Sequence, residues 1–147
     1  MLQGQAEAAL DVYFRQCAIQ VTCRDLAVMA ATLSNMGRNP LTGRSVFDIP
    51  EVKDMLSIMF TCGMYDYSGQ WAYRVGVPAK SGVGGGIAGV VNRQLGIGTY
   101  SPRLDPKGNS VRGVAAFTEI ADELGLHAFE CSNVGSAFVR SFIGGRD

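Results

Sequence analysis

The chain has little with which to hold a metal ion or a disulfide. Its single histidine, His127, has no ligand-type neighbours, and its four cysteines (Cys17, Cys23, Cys62, Cys131) form no C-x-x-C pair. A metal site is therefore not expected, and no cofactor is implied. Scattered cysteines within apolar helical patterns read as buried free thiols of a reducing compartment. Basic runs are missing as well: 13 Lys+Arg balance 13 Asp+Glu. That argues against nucleic acid or an anionic membrane surface as the main partner. No apolar run is long enough to span a bilayer, and Met1 to Ala9 has neither the basic region nor the apolar core of a secretory signal. The expected location is the cytoplasm.

Glycine, by contrast, is abundant: 19 of 147 residues, more than the turns of one domain require. Four of them, Gly82, Gly84, Gly85 and Gly86, fall within five positions. Glycine weakens a strand unless the main chain must approach something closely or adopt unusual dihedrals. The stretch Gly63 to Gly86 therefore reads as a sheet edge whose backbone touches a small ligand.

Helical spacing of Ala6, Leu10, Tyr13, Phe14, Cys17 and Val21 predicts an amphipathic helix over 5–20. Thr22 with Asp25 forms a capping-box pattern for a second helix through Leu33, which Gly37 ends. Pro50 and Gly63 bracket a third, with Val52, Met55, Leu56 and Met59 on its apolar face. The period then drops to two. Trp71, Tyr73, Val75 and Val77 alternate with Gln70, Ala72, Arg74 and Gly76, predicting a half-buried strand with Tyr73 in the core. Strands over Val83 to Val91 and Leu95 to Ser101 follow, and three adjacent strands are most simply an antiparallel meander. The run Asp105 to Asn109 ends on a helix cap, and Val114, Phe117, Ile120, Ala121 and Leu124 define a last helix. The layout is α+β: helices, a three-stranded antiparallel meander and a C-terminal helix. Residues 1–124 read as one domain unit, and 125–147 as a loosely ordered tail.

Two phosphate-binding readings fail on context. Gly84-x-Gly86-x-x-Gly89 lacks the helix that a dinucleotide fingerprint opens, and around Lys80-Ser81 the glycines follow the lysine instead of preceding it. A lysine, a small hydroxyl residue and a glycine opening a strand, Lys80-Ser81-Gly82, match better the K-T-G strand that flanks the site of penicillin-recognising serine enzymes. In that setting the backbone N–H of Val83 is one donor to an oxyanion. The plainer alternative is a solvated turn lysine beside a glycine bulge. Tyr65, just past a helix end, can aim a phenol across a cleft to move a proton, or simply pack at a helix-to-strand junction. Periodicity alone assigns Tyr13 to the core, makes Met36, Met55, Met59 and Met64 fillers, and leaves His127 on the surface.

At several of these positions the sequence resembles one family. Tyr13-Phe14-Arg15-Gln16-Cys17, Val28 to Gly37, Asn39-Pro40-Leu41-Thr42-Gly43, Cys62 to Gly69, Pro78 to Gly86 and Ser101 to Ser110 are similar, in order and spacing, to the serine-dependent glutaminases. The resemblance spans about residues 8 to 124. It implies part of a β-lactamase/transpeptidase-like fold and hydrolysis of L-glutamine to L-glutamate and ammonia. In the family a serine attacks the side-chain amide, a lysine three residues later is its base, and a glutamyl-enzyme is hydrolysed. The resemblance further implies that Tyr13 and Tyr65 contact substrate, that Tyr65 helps proton transfer, and that Val83 lends an oxyanion amide. It moves Tyr13 out of the core. Family members assemble as dimers or tetramers. The Ser-x-x-Lys pair is absent: Lys53, Lys80 and Lys107 have no serine three residues before them. The chain thus corresponds to the C-terminal half of such an enzyme, with a glutamine-binding remnant or one subunit of a split enzyme as the alternative.

Overall fold

In the computed structural model residues 6–130 are described. Five helices, α1 (Ala6–Cys17), α2 (Cys23–Ser34), α3 (Ile49–Cys62), α4 (Ser68–Arg74) and α5 (Val111–Leu124), surround strands β1 (Ala79–Ser81), β2 (Gly86–Val91) and β3 (Leu95–Tyr100). The strands form one antiparallel sheet in the order β1-β2-β3.

Local sequence chemistry sets most boundaries. The Thr22 hydroxyl accepts from the Asp25 N–H at 3.2 Å while the Asp25 carboxylate takes the Thr22 N–H at 2.8 Å, closing the expected box at the start of α2. Asp48 and Glu51 do the same for α3, with Pro50 in its first turn. Ser110 caps α5, accepting from the Gly113 N–H at 3.1 Å. The expected cap Asn109 is instead wholly buried and donates to the Met64 carbonyl at 3.3 Å.

The sheet lies between two helices, and glycine decides how closely each sits. A methyl at Gly96 would stand 2.1 Å from the Ala31 nitrogen, and one at Gly98 2.4 Å from the Cys23 carbonyl oxygen. Helix α2 therefore rests on the main chain of β3. On the opposite face Phe117 of α5 occupies the space that a side chain at Gly89 would need. Phe117 also meets Trp71 with ring centroids 5.3 Å apart, and both are buried with Met64, Val75, Val77, Ala79 and Ile87.

Several expectations need correction. Residues 71–77 are not a strand. Met64, Ser68, Trp71 and Val75 are buried at helical spacing, and α4 with its flanks presents that face to the core. Tyr73 is 86% exposed, outside the core. The first strand is the short β1, and Val83 lies in the turn before β2. Cys17, Cys23 and Cys62 are free but exposed, because α1 has no buried residue and the Cys23 and Cys62 sites lie at helix ends. Met36 is 52% exposed and sits at φ +55°, so it is no filler. Within the expected tail, Leu126 is buried and the Ala128 N–H bonds to Gly76 O at 2.9 Å. His127 packs over Gly76, which a side chain at that position would displace. The remainder of the expected tail, 131–147 with Cys131, lies outside the described residues.

Candidate active site

Strand β1 ends at Ser81, and Gly82 to Gly86 turn the chain into β2. Two main-chain bonds of 2.9 Å, Gly82 N–H to Gly86 O and Gly85 N–H to Gly82 O, close that turn. Gly85 has φ +97°, and a methyl there would stand 2.4 Å from the Ser101 carbonyl oxygen. Only glycine fits. Gly82 and Gly84 meet no such obstruction; around Gly84 there is open space. Between them Val83 is exposed, and its N–H has no acceptor among the described residues.

Tyr65 opens a 3₁₀ turn, Tyr65–Tyr67, with φ +54°. A non-glycine residue in that region is strained by about 1–2 kcal/mol. Buried Ser68 holds it there. The Ser68 hydroxyl accepts from the Met64 N–H at 3.0 Å and donates to the Tyr65 carbonyl at 2.9 Å. The bond from Asn109 to the Met64 carbonyl ties the same segment to the loop before α5. So fixed, the Tyr65 phenol reaches β1 and donates to the Ser81 carbonyl at 3.2 Å. The Lys80 ammonium donates to the same carbonyl and stands 4.7 Å from the Tyr65 ring centroid, in cation–π range. Gly108 borders both groups of the site: a methyl there would lie 3.7 Å from the Tyr65 ring and 4.0 Å from Val83 Cγ1.

Tyr65, Lys80, Ser81, Gly82 and Val83 are thus brought together. Ser81 contributes its carbonyl and not its hydroxyl. Its side chain is buried on the strand face opposite Lys80, in register with Ile87, and Oγ has no partner. Tyr13 stands apart. It is 59% exposed on α1, its ring lies 6.0 Å from that of Phe14, and it touches none of the other candidates. A side-chain hydrogen bond with Cys17, followed by the charge of that thiol, raises the Tyr13 phenol above its ordinary range. Ser68 and Asn109 are the positions that the sequence reading missed. The only available signal was a serine four residues after Met64, in helical phase with the core. Lys80, Gly82 and Gly84 face a groove of about 990 Å³ walled by Leu26, Met29 and Met59. Among the described residues, no group of three or more His, Cys, Asp or Glu could hold a metal ion, and no helix is long and apolar enough to cross a membrane.

A phenol, a lysine and a free turn amide around one carbonyl can hold a polar amide group and donate to charge developing on its oxygen. Sequence comparison agrees with that chemistry. The glutaminase family model matches residues 1–129. The chain belongs to the glutaminase family. It is 57% identical to the glutaminase of Nostoc sp. over 136 residues, covering 92% of this chain and 41% of that protein. The glutaminase of Microcystis aeruginosa is 60% identical over 129 residues, 88% of this chain and 38% of its own length. Bacillus subtilis glutaminase YbgJ, solved as a covalent complex with 5-oxo-L-norleucine, superposes with a TM-score of 0.83 at 39% identity, over 87% of this chain and 46% of that one. The chain spans about two fifths of the length of the curated relatives it matches. Its sheet and helices are accordingly part of a β-lactamase-like glutaminase fold.

Proposed function

We propose that this chain supplies one wall of a glutaminase active site that hydrolyses L-glutamine to L-glutamate and ammonia through a serine-bound glutamyl intermediate. The observation that carries the reading is the meeting of Tyr65 and Lys80 at the Ser81 carbonyl, beside the unpartnered Val83 amide. The Val83 N–H donates to the amide oxygen as it becomes an oxyanion. Tyr65 handles the proton passing between the serine and the leaving ammonia, and with Tyr13 and Val83 it contacts the substrate. Lys80 and Ser81 lie on the flanking strand, and Gly82 opens the turn that follows it. Open space at Gly82 and Gly84 lets substrate approach the turn closely. Support comes also from the Bacillus relative's covalent complex with 5-oxo-L-norleucine, a molecule whose 5-oxo group corresponds chemically to the side-chain carbonyl of glutamine. No lysine of this sequence has a serine three residues before it, so in this reading the serine and its base come from elsewhere in the enzyme. The enzyme works in the cytoplasm as a homo-oligomer.

The isolated chain is expected to release no ammonia from glutamine. A chimera in which it replaces the 136 matched residues of the Nostoc glutaminase is expected to do so. Tyr65→Phe in that chimera is expected to lower kcat by about 10²-fold or more. A coupled ammonia assay reads both. Turnover by the isolated chain, a folded but silent chimera, or an unaffected Tyr65→Phe variant would each overturn the reading.

A further inference from the structure

We propose that Asn109 is a positioning residue for the Tyr65 phenol. By donating to the Met64 carbonyl it holds the Met64–Tyr65 peptide plane in the orientation that sends the phenol to the Ser81 carbonyl of β1. The inference rests on the reading that Tyr65 moves a proton in a glutaminase site, and adds that this step is governed from the loop before α5.

The Met64 carbonyl and the Tyr65 N–H belong to one planar unit. Tyr65 leaves that plane at φ +54°, where a residue other than glycine is strained. Turning the plane over would return Tyr65 to negative φ and re-aim its side chain. Ser68 does not hold this plane. Its bonds go to the planes on either side, through the Met64 N–H and the Tyr65 carbonyl. Among the described residues, two donors reach the Met64 oxygen: the Tyr67 N–H at 3.1 Å and Asn109 Nδ2 at 3.3 Å. The first belongs to the 3₁₀ turn and moves with it. The second comes from 45 residues along the chain and is anchored independently.

That anchor is stiff. The Asp105 carboxylate accepts the Lys107 and Asn109 N–H groups, both at 2.9 Å, and the Asp105 N–H donates to the Asn109 carbonyl at 2.8 Å. Asn109 is wholly buried, yet its Oδ1 has no partner among the described residues. A buried acceptor left unbonded costs about 1–3 kcal/mol. An apolar side chain would avoid that cost. What asparagine supplies instead is a donor aimed at Met64, and a carbonyl can only accept, which assigns Nδ2 to that bond.

The test has one reading without turnover and one with it. In this chain labelled with fluorotyrosine, the Tyr65 NMR signal, assigned by its loss in Tyr65→Phe, is expected to shift in Asn109→Ala. The signal of Tyr73, 86% exposed on α4, is expected to stay. In the Nostoc chimera, Asn109→Ala is expected to lower kcat at least about tenfold, by more than it raises KM. Asn109→Asp regains the donor only while its carboxyl is protonated. The charged side chains on the elements around that position are Arg103, Asp105 and Lys107 on its own loop, Asp66 on the 3₁₀ turn, Lys80 on β1 and Arg112 on α5. All are exposed except half-buried Asp105, so burial and that carboxylate together favour the neutral acid. The kcat of Asn109→Asp relative to the parent is therefore expected to be highest in acid and to fall as pH rises. If that variant does not fold, Asp105→Ala loosens the loop from outside the core and is expected to lower kcat in the same way. An unmoved Tyr65 signal in folded Asn109→Ala, an unchanged kcat, or an Asn109→Asp ratio independent of pH would each overturn the proposal. A chimera that releases no ammonia, while the Tyr65 signal still moves, would sink the functional reading and leave the positioning of Tyr65 standing.

Discussion

Ser68 shows how much of a candidate site rests on a residue outside the group that meets at the Ser81 carbonyl. Its hydroxyl bridges the Met64 N–H and the Tyr65 carbonyl, holding a tyrosine at φ +54°. In Ser68→Ala the Met64 N–H stays buried without an acceptor, which costs about 1–3 kcal/mol. Urea unfolding should register that loss, and exchange of the Met64 amide should accelerate. Lys80 and Val83 are candidates that a motif of fixed spacing names in the sequence, and Tyr65 stands out there by its place just past a helix end. Ser68 was not legible, since a serine before a glycine reads as ordinary turn chemistry. Ser81 was half legible: strand alternation, which the motif does not encode, turns its hydroxyl away from Lys80 and leaves its carbonyl to accept from Tyr65 and Lys80.

Element by element, caps were the most reliable signal, because a cap is a local bargain between neighbouring residues. Thr22 with Asp25 starts α2 where the pattern placed it. Pro50 stands in the first turn of α3 as its place in the sequence predicts, behind an Asp48–Glu51 box that the pattern left unread. Hydrogen bonds from the Thr22 main chain and then its side chain lower the Asp25 carboxyl below its ordinary value. A depressed carboxyl stabilises the fold fully above its unfolded pKa, and that support disappears as pH falls through the folded value. Thr22→Ala is therefore expected to lower stability by about 0.5–2 kcal/mol near neutral pH. The difference from the parent should shrink in thermal melts taken in acid, below the ordinary carboxyl range. Helix α4 failed to show in the sequence for a physical reason. Trp71, Val75 and Val77 are all buried, but two of them lie on one helical face and the third in the loop beyond it. Their spacing mimics a strand, while the polar Ser68 masks the true helical stripe.

At the scale of the molecule, the core joins elements that are far apart in sequence. Phe117 lies over Gly89, beside Trp71, at the junction of α5, β2 and α4. Phe117→Ala is expected to destabilise by about 3–5 kcal/mol, a large share of a typical domain's stability. A urea midpoint shifted by less than a third of that would mean the junction repacks. The α+β layout was readable from the order of periods, but the depth of packing was not, because glycine carries no pattern that names its neighbour. Seating α2 on the bare main chain of Gly96 and Gly98 makes a joint without slack. The nearest atoms of α2 at both glycines are main-chain atoms, so backbone against backbone sets the depth of the helix. The groove wall that faces Lys80 is thereby held at a constant gauge from the sheet.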